Sequence, residues 1–161
     1  MSVRRLALVQ PPAADDEVRL RVALATRDGR TMSGHFGSAQ RFVIFEVSAN
    51  ARRFLETISF EDVSDESGSH TTQGDDRNAA KIAALSDVDV LVVQAIGGPV
   101  AARVIRAQIH PVKFSEPEPI EDILRRLSTM LLDSPPPWLR KVMQQKQTRS
   151  MDFLDDDDPD T

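Results

Sequence analysis

Cysteine and tyrosine are both missing from this chain, and tryptophan occurs once. Without cysteine there can be no disulfide, no thiolate zinc site and no thiol nucleophile. Seven phenylalanines complete the aromatic set, which leaves few platforms on which bases could stack. No basic stripe accompanies them, so nucleic acid fits poorly as a partner. No apolar run approaches the roughly 20 residues of a membrane-spanning helix. Leu6–Val9 is too short for the core of a secretory signal, which makes the cytoplasm the expected location. There is no G-x-S-x-G elbow, no Walker lysine and no G-x-G-x-x-G run. The histidines, His35, His70 and His110, are too far apart in sequence for a preformed zinc site.

What remains is a soluble, globular composition: 40% hydrophobic and 28% charged residues in a chain of 161. A domain of that length buries about 70% of the surface its unfolded chain exposes, so a core needs no covalent staple. The net charge is −5, and much of it lies in Asp152–Asp160. Residues 1–17 read as an N-terminal extension, in which 3–9 offers a short edge strand or a helical turn before Pro11-Pro12. Residues 18–146 read as the domain, and 147–161 as an acidic, disordered tail.

Within the domain, Leu20, Val22 and Leu24 alternate with Arg19, Arg21 and Ala23, the period of a strand. Asp28-Gly29 marks a turn. Phe42–Val47 and Arg53–Phe60 are the second and third strands, and Glu61–Asp75 is a polar, mobile loop. A helix follows over 76–86, capped by Asp75 or Asp76. Val88–Ile96 is nearly all apolar, as expected of a strand covered on both faces. Asp87 and Asp89 should cap and solvate its start. Gly97-Gly98-Pro99 opens a helix that continues to Gln108. Ile109–Phe114 is a strand, Pro119–Leu132 an amphipathic helix, and Trp138–Lys146 a short last helix. Three strands and then alternating helices and strands predict an α/β fold whose mixed sheet carries helices on both faces.

Ser33-Gly34-His35-Phe36-Gly37 is an unusual turn. Gly34 and Gly37 permit backbone angles that other residues avoid. Phe36 can anchor the loop in the core, which frees His35 to point outward. An imidazole in that position serves as a metal ligand, a proton carrier or simply a solvated cap. Arg27, Arg30 and Arg41 flank the loop and give it a positive potential, partly offset by Asp28. The Gly97-Gly98 junction presents backbone N–H groups at the carboxyl end of a buried strand, where open sheets bind ligands; a plain tight turn explains it equally well.

The ordered set 22–26, Gly34-His35-Phe36-Gly37, 41–47, 87–98, 109–113 and Pro135-Pro136-Pro137-Trp138-Leu139-Arg140-Lys141 resembles the nitrogenase iron–molybdenum cofactor-binding family, and its NifX branch in particular. The resemblance implies a ribonuclease H-like α/β/α fold with a mixed five-stranded sheet. It implies a carrier, not an enzyme, that holds an iron–sulfur precursor of the nitrogenase metal cofactor and hands it to assembly scaffold and maturation proteins. The family's cluster-binding histidine falls on His35. Gly34, Phe36 and Gly37 complete its motif. Apart from the resemblance, the charge of an anionic cluster makes Arg27, Arg41 and the N–H groups near Gly97 and Gly98 expected helpers, and a monomer is the expected state. The relatives with an extra N-terminal domain differ, since Met1–Glu17 is too short for one. Two rival functions stand beside this one: a ribonuclease H-like enzyme using Asp28 and Glu46 on divalent metal, and an interaction module docking through Trp138 and the amphipathic helix.

Overall fold

Strand β2 (Leu20–Ala25) has almost every residue buried, and the two faces it buries define the architecture. A computed structural model describes residues 3–7, 18–60 and 71–156, with side-chain surroundings for 18–60 and 77–148. The elements run β1 (Val3–Ala7), β2, β3 (Thr31–Met32), β4 (Arg41–Val47), β5 (Arg52–Phe60), α1 (Thr71–Ala84), β6 (Val90–Val93), α2 (Gly98–Arg106), β7 (His110–Lys113), β8 (Glu118–Pro119), α3 (Ile120–Leu132) and α4 (Pro137–Asp156). The main sheet has order β1-β5-β4-β2-β6-β7. β2, β4 and β5 pair antiparallel, and β6 pairs parallel with both β2 and β7. The five strands expected of the domain are there, and β1 of the extension adds a sixth by pairing antiparallel with β5.

Alternation along the strands builds two cores. Leu20, Val22, Leu24, Val43, Val47, Val90 and Val92 pack with Ile120, Ile123, Leu124 and Leu127 of α3 and with Leu139 and Val142 of α4. Ala23, Ala25, Phe42, Ile44, Ile58, Phe60, Leu91 and Val93 face the other way, toward Val104 of α2 and the partly buried Ile82 and Ala84 of α1. The layers are therefore α1 and α2, the sheet, then α3 and α4. The small β3–β8 pair ties the turn after β2 to the start of α3, where the Ile120 N–H donates to the Arg30 carbonyl at 2.9 Å.

Three expectations need correction. The helix expected from residue 76 begins at Thr71, inside the stretch read as loop; residues 61–70, His70 among them, lie outside the described residues. The last helix does not stop near Lys146 but runs to Asp156, so residues 147–156 of the expected tail are helical, and 157–161 lie outside the described residues. No glycine or proline interrupts residues 138–158, and most of residues 138–151 are good helix formers. Finally, Asp89 does not solvate the start of β6. It is 1% exposed, accepts the Arg21 N–H at 2.8 Å and pairs with the Lys146 ammonium at 3.0 Å. Asp87 does face water, paired with Arg21 at 3.0 Å.

Candidate functional site

The His35 loop is held on three sides. The Ser33 N–H donates to the Ala25 carbonyl of β2 at 2.9 Å. Residues 34–36 then lie alongside the end of β6, with His35 and Ala95 forming a parallel bridge. Gln94 grips Gly34 twice: its N–H donates to the Gly34 carbonyl at 2.9 Å, and its Oε1 accepts the Gly34 N–H at 2.8 Å. The Phe36 N–H donates to the Ala95 carbonyl at 2.9 Å. Gly34 takes φ +104°, a region that a side chain resists, so the glycine at this position is required by the turn. Gly37 does not use that freedom.

Phe36 is 1% exposed and its ring sits 5.8 Å from that of Phe42. Burying a phenylalanine stabilises by about 1.5–3 kcal/mol. Phe36 therefore anchors the loop in the core, as its size and apolarity predict. His35 is exposed on the outer side of this anchor.

The third support is a lysine that sequence reasoning passed over. Lys81 of α1 is 3% exposed. Its ammonium donates to the Phe36 carbonyl at 3.0 Å and the Gly37 carbonyl at 2.8 Å. It also lies 5.7 Å from the Phe36 ring centroid and 5.9 Å from that of Phe60. A lysine at an i, i+4 position behind Arg77 looks like part of a solvated helix face, and nothing local announces a contact 44 residues back along the chain.

Beside the loop runs a groove of about 300 Å³ lined by Thr26, Arg27, Ser33, Gly34, Ser38, Ala39, Gln40, Arg41 and Ser59. Arg41 is steadied there by donating Nη1 to the Arg27 carbonyl at 2.9 Å. The Asp28 carboxylate is spent on its own turn: Oδ1 accepts the N–H groups of Arg30 at 2.9 Å and Thr31 at 3.0 Å. Those two donors hold its pKa below the ordinary value. Gly97 and Gly98 are exposed at the start of α2, two residues beyond Ala95, with no side-chain cap. They share this end of the sheet with His35 but do not line the groove.

The other candidates are dispersed. Asp28 lies beyond one end of the β2–β4 pair, whereas Glu46 sits across from Arg21 near the other, paired with Arg53. At about 3.3 Å per residue that separation far exceeds the ~4 Å of a shared two-metal site. Among the described residues no cluster of histidine and carboxylate groups is placed to hold a metal ion. His110 is at the opposite end of the sheet, stacked on Trp138 with ring centroids 4.8 Å apart. Burial, then the Lys141 charge, lower its pKa. Trp138 thus packs internally against His110 and the α3–α4 core. No helix among the described residues is long and apolar enough to cross a membrane.

Known proteins with similar sequences point one way. A family model described as dinitrogenase iron-molybdenum cofactor matches residues 18–130. Protein NifX of Sinorhizobium fredii is 46% identical over 98% of this chain and 99% of its own length. Protein NifX of Rhodobacter capsulatus is 42% identical over 87% of this chain and 88% of its own. Protein NifY of Azotobacter vinelandii is 34% identical over 77% of this chain, which is 48% of that longer protein. The solved structure of PH0822 superposes with a TM-score of 0.52 at 16% identity, covering 68% of this chain and 90% of that one, a likeness of fold.

Proposed function

Since this chain belongs to the dinitrogenase iron-molybdenum cofactor family, and within it to the NifX branch, we propose that it serves nitrogenase cofactor biosynthesis as a carrier of an iron–sulfur precursor cluster. The observation that carries the reading is the mounting of His35: an exposed imidazole on a loop pinned to β2, β6 and α1. The strand order, an antiparallel triplet followed by two parallel strands, supports a ribonuclease H-like fold. Residues 18–146 form the cluster-binding unit in this reading.

Iron–sulfur clusters usually hang on several cysteine thiolates, and this chain has none. A preassembled cluster brings its own sulfides, so a single imidazole suffices to hold it while leaving it exchangeable. Arg27 and Arg41 on one side, and the Gly97-Gly98 N–H groups on the other, favour an anionic cargo. The carrier performs no turnover. It works as a monomer in the cytoplasm and passes its cargo to the scaffold and maturation proteins of cofactor assembly.

The test is anaerobic gel filtration after incubation with isolated precursor, reading iron and visible absorbance in the protein peak. Iron should co-elute with the native chain, and His35→Ala should lower the affinity at least tenfold without changing the folded state. Equal iron on both would remove His35 as the ligand. None on either would favour the interaction-module reading.

A further inference from the structure

We propose that the groove between Arg27 and Arg41 is a binding site for a small multivalent oxyanion, of the polycarboxylate or phosphate class, distinct from the imidazole of His35. The argument is one of cations without a facing anion among the described residues. Arg27 and Arg41 line the groove with Ser33, Ser38 and Ser59, and no carboxylate among the described residues lines it. Arg41 commits one Nη1–H to the Arg27 carbonyl, which fixes its fork beside the groove. Among the described residues the Arg27 guanidinium has no hydrogen-bond or ion-pair partner. The nearest acid along the chain, Asp28, has its Oδ1 engaged by the turn beneath it.

Planar guanidinium forks match carboxylate and phosphate oxygens in pairs, and two of them select a ligand with more than one negative charge. A volume of about 300 Å³ stands at the small end of ligand pockets, which run from roughly 300 to 1,000 Å³, and so suits a metabolite-sized anion better than a nucleotide. The groove and the imidazole share the segment 33–35, yet His35 does not line the groove. The site deepens the carrier reading and rests on it for its biological use, because it lets the loop accept an oxygen-rich anion at the flank of its cargo. The binding itself does not require the cluster.

The experiment is calorimetric titration of the full chain, without cluster, using citrate, inorganic phosphate and acetate at low ionic strength. Amide NMR shifts would follow in parallel. Citrate and phosphate should bind at least tenfold more tightly than acetate, moving the amides of Gly34 and Ser38, and binding should weaken as salt rises. Arg27→Gln should weaken citrate severalfold and Arg27→Gln with Arg41→Gln at least tenfold. Both arginines are exposed, so these variants should keep the native circular dichroism. His35→Ala should bind citrate as the native chain does, which separates failure of this site from failure of the carrier reading. Equal affinity for acetate and citrate, shifts confined to other surfaces, or native-like binding by the double variant would each overturn the proposal.

Discussion

Two lysines reach from helices on opposite faces to opposite ends of β6, and they do different work. Lys146 of α4 meets the carboxylate of Asp89, which is wholly buried just before the strand. Opposite charges there close a structural joint and leave little for a ligand to do. Lys81 of α1 meets peptide carbonyls just beyond the strand's other end, and those carbonyls belong to the loop that presents His35. One ammonium neutralises a buried charge; the other shapes a surface. What a buried lysine does is thus read from its partners and not from its burial.

Breaking the first joint should have the larger effect on stability. Lys146→Met takes the ammonium away from a buried carboxylate, a change that costs about 3–5 kcal/mol in fully buried pairs. Because Lys146 is 32% exposed, about 2–3 kcal/mol is expected, a fall in Tm on the order of 5–10 °C by calorimetry. The loop amides of residues 34–39 should keep their exchange rates. Lys81→Met should do the reverse. Losing donors to two carbonyls costs about 1–3 kcal/mol, and hydrogen exchange of residues 34–39 should rise before the rest of the domain opens. If Lys81→Met lowered Tm and left loop exchange untouched, the contrast between the two lysines would collapse.

The smallest effect concerns pH at the Asp89 end. His110 has a folded pKa below its ordinary value of 6.5, so the folded state binds its proton less readily than the unfolded chain does. Its neutral form is the one that folding favours. Stability should be highest above pH 6.5 and decline as pH falls below it. His110→Gln should flatten that part of the curve in denaturant titrations while leaving the loop end unaffected.

Much of the loop end is legible in the sequence, and much of the joint end is not. Gly34, His35 and Phe36 declare their roles locally: one needs a positive φ, one is polar and one is large and apolar. Strand alternation in β2 and β4 likewise follows from neighbours two residues apart. Lys81 and Lys146 declare nothing, because their partners lie 44 and 57 residues away. Asp89 illustrates the same limit. An aspartate beside Asp87 looks like a solvated cap until α4 returns over the sheet and delivers a cation to it. The added length of α4 was readable from its lack of breakers, but the acidic composition of its end argued more loudly for disorder.

The pairing of β1 with β5 has a consequence for the borders of the sheet. β5 is nine residues long, and without β1 it would present an open row of N–H and C=O groups to any other strand. The far border of the sheet, β7, is only four residues long and contains Pro111, which removes one donor from the ladder and discourages pairing there. The molecule thus guards one border by brevity and a proline, and the other by folding its own beginning across it. Trimming the chain back to Val18 would leave the His35 loop intact and uncover β5 as an open edge, prone to pair strand to strand with the same edge of another copy.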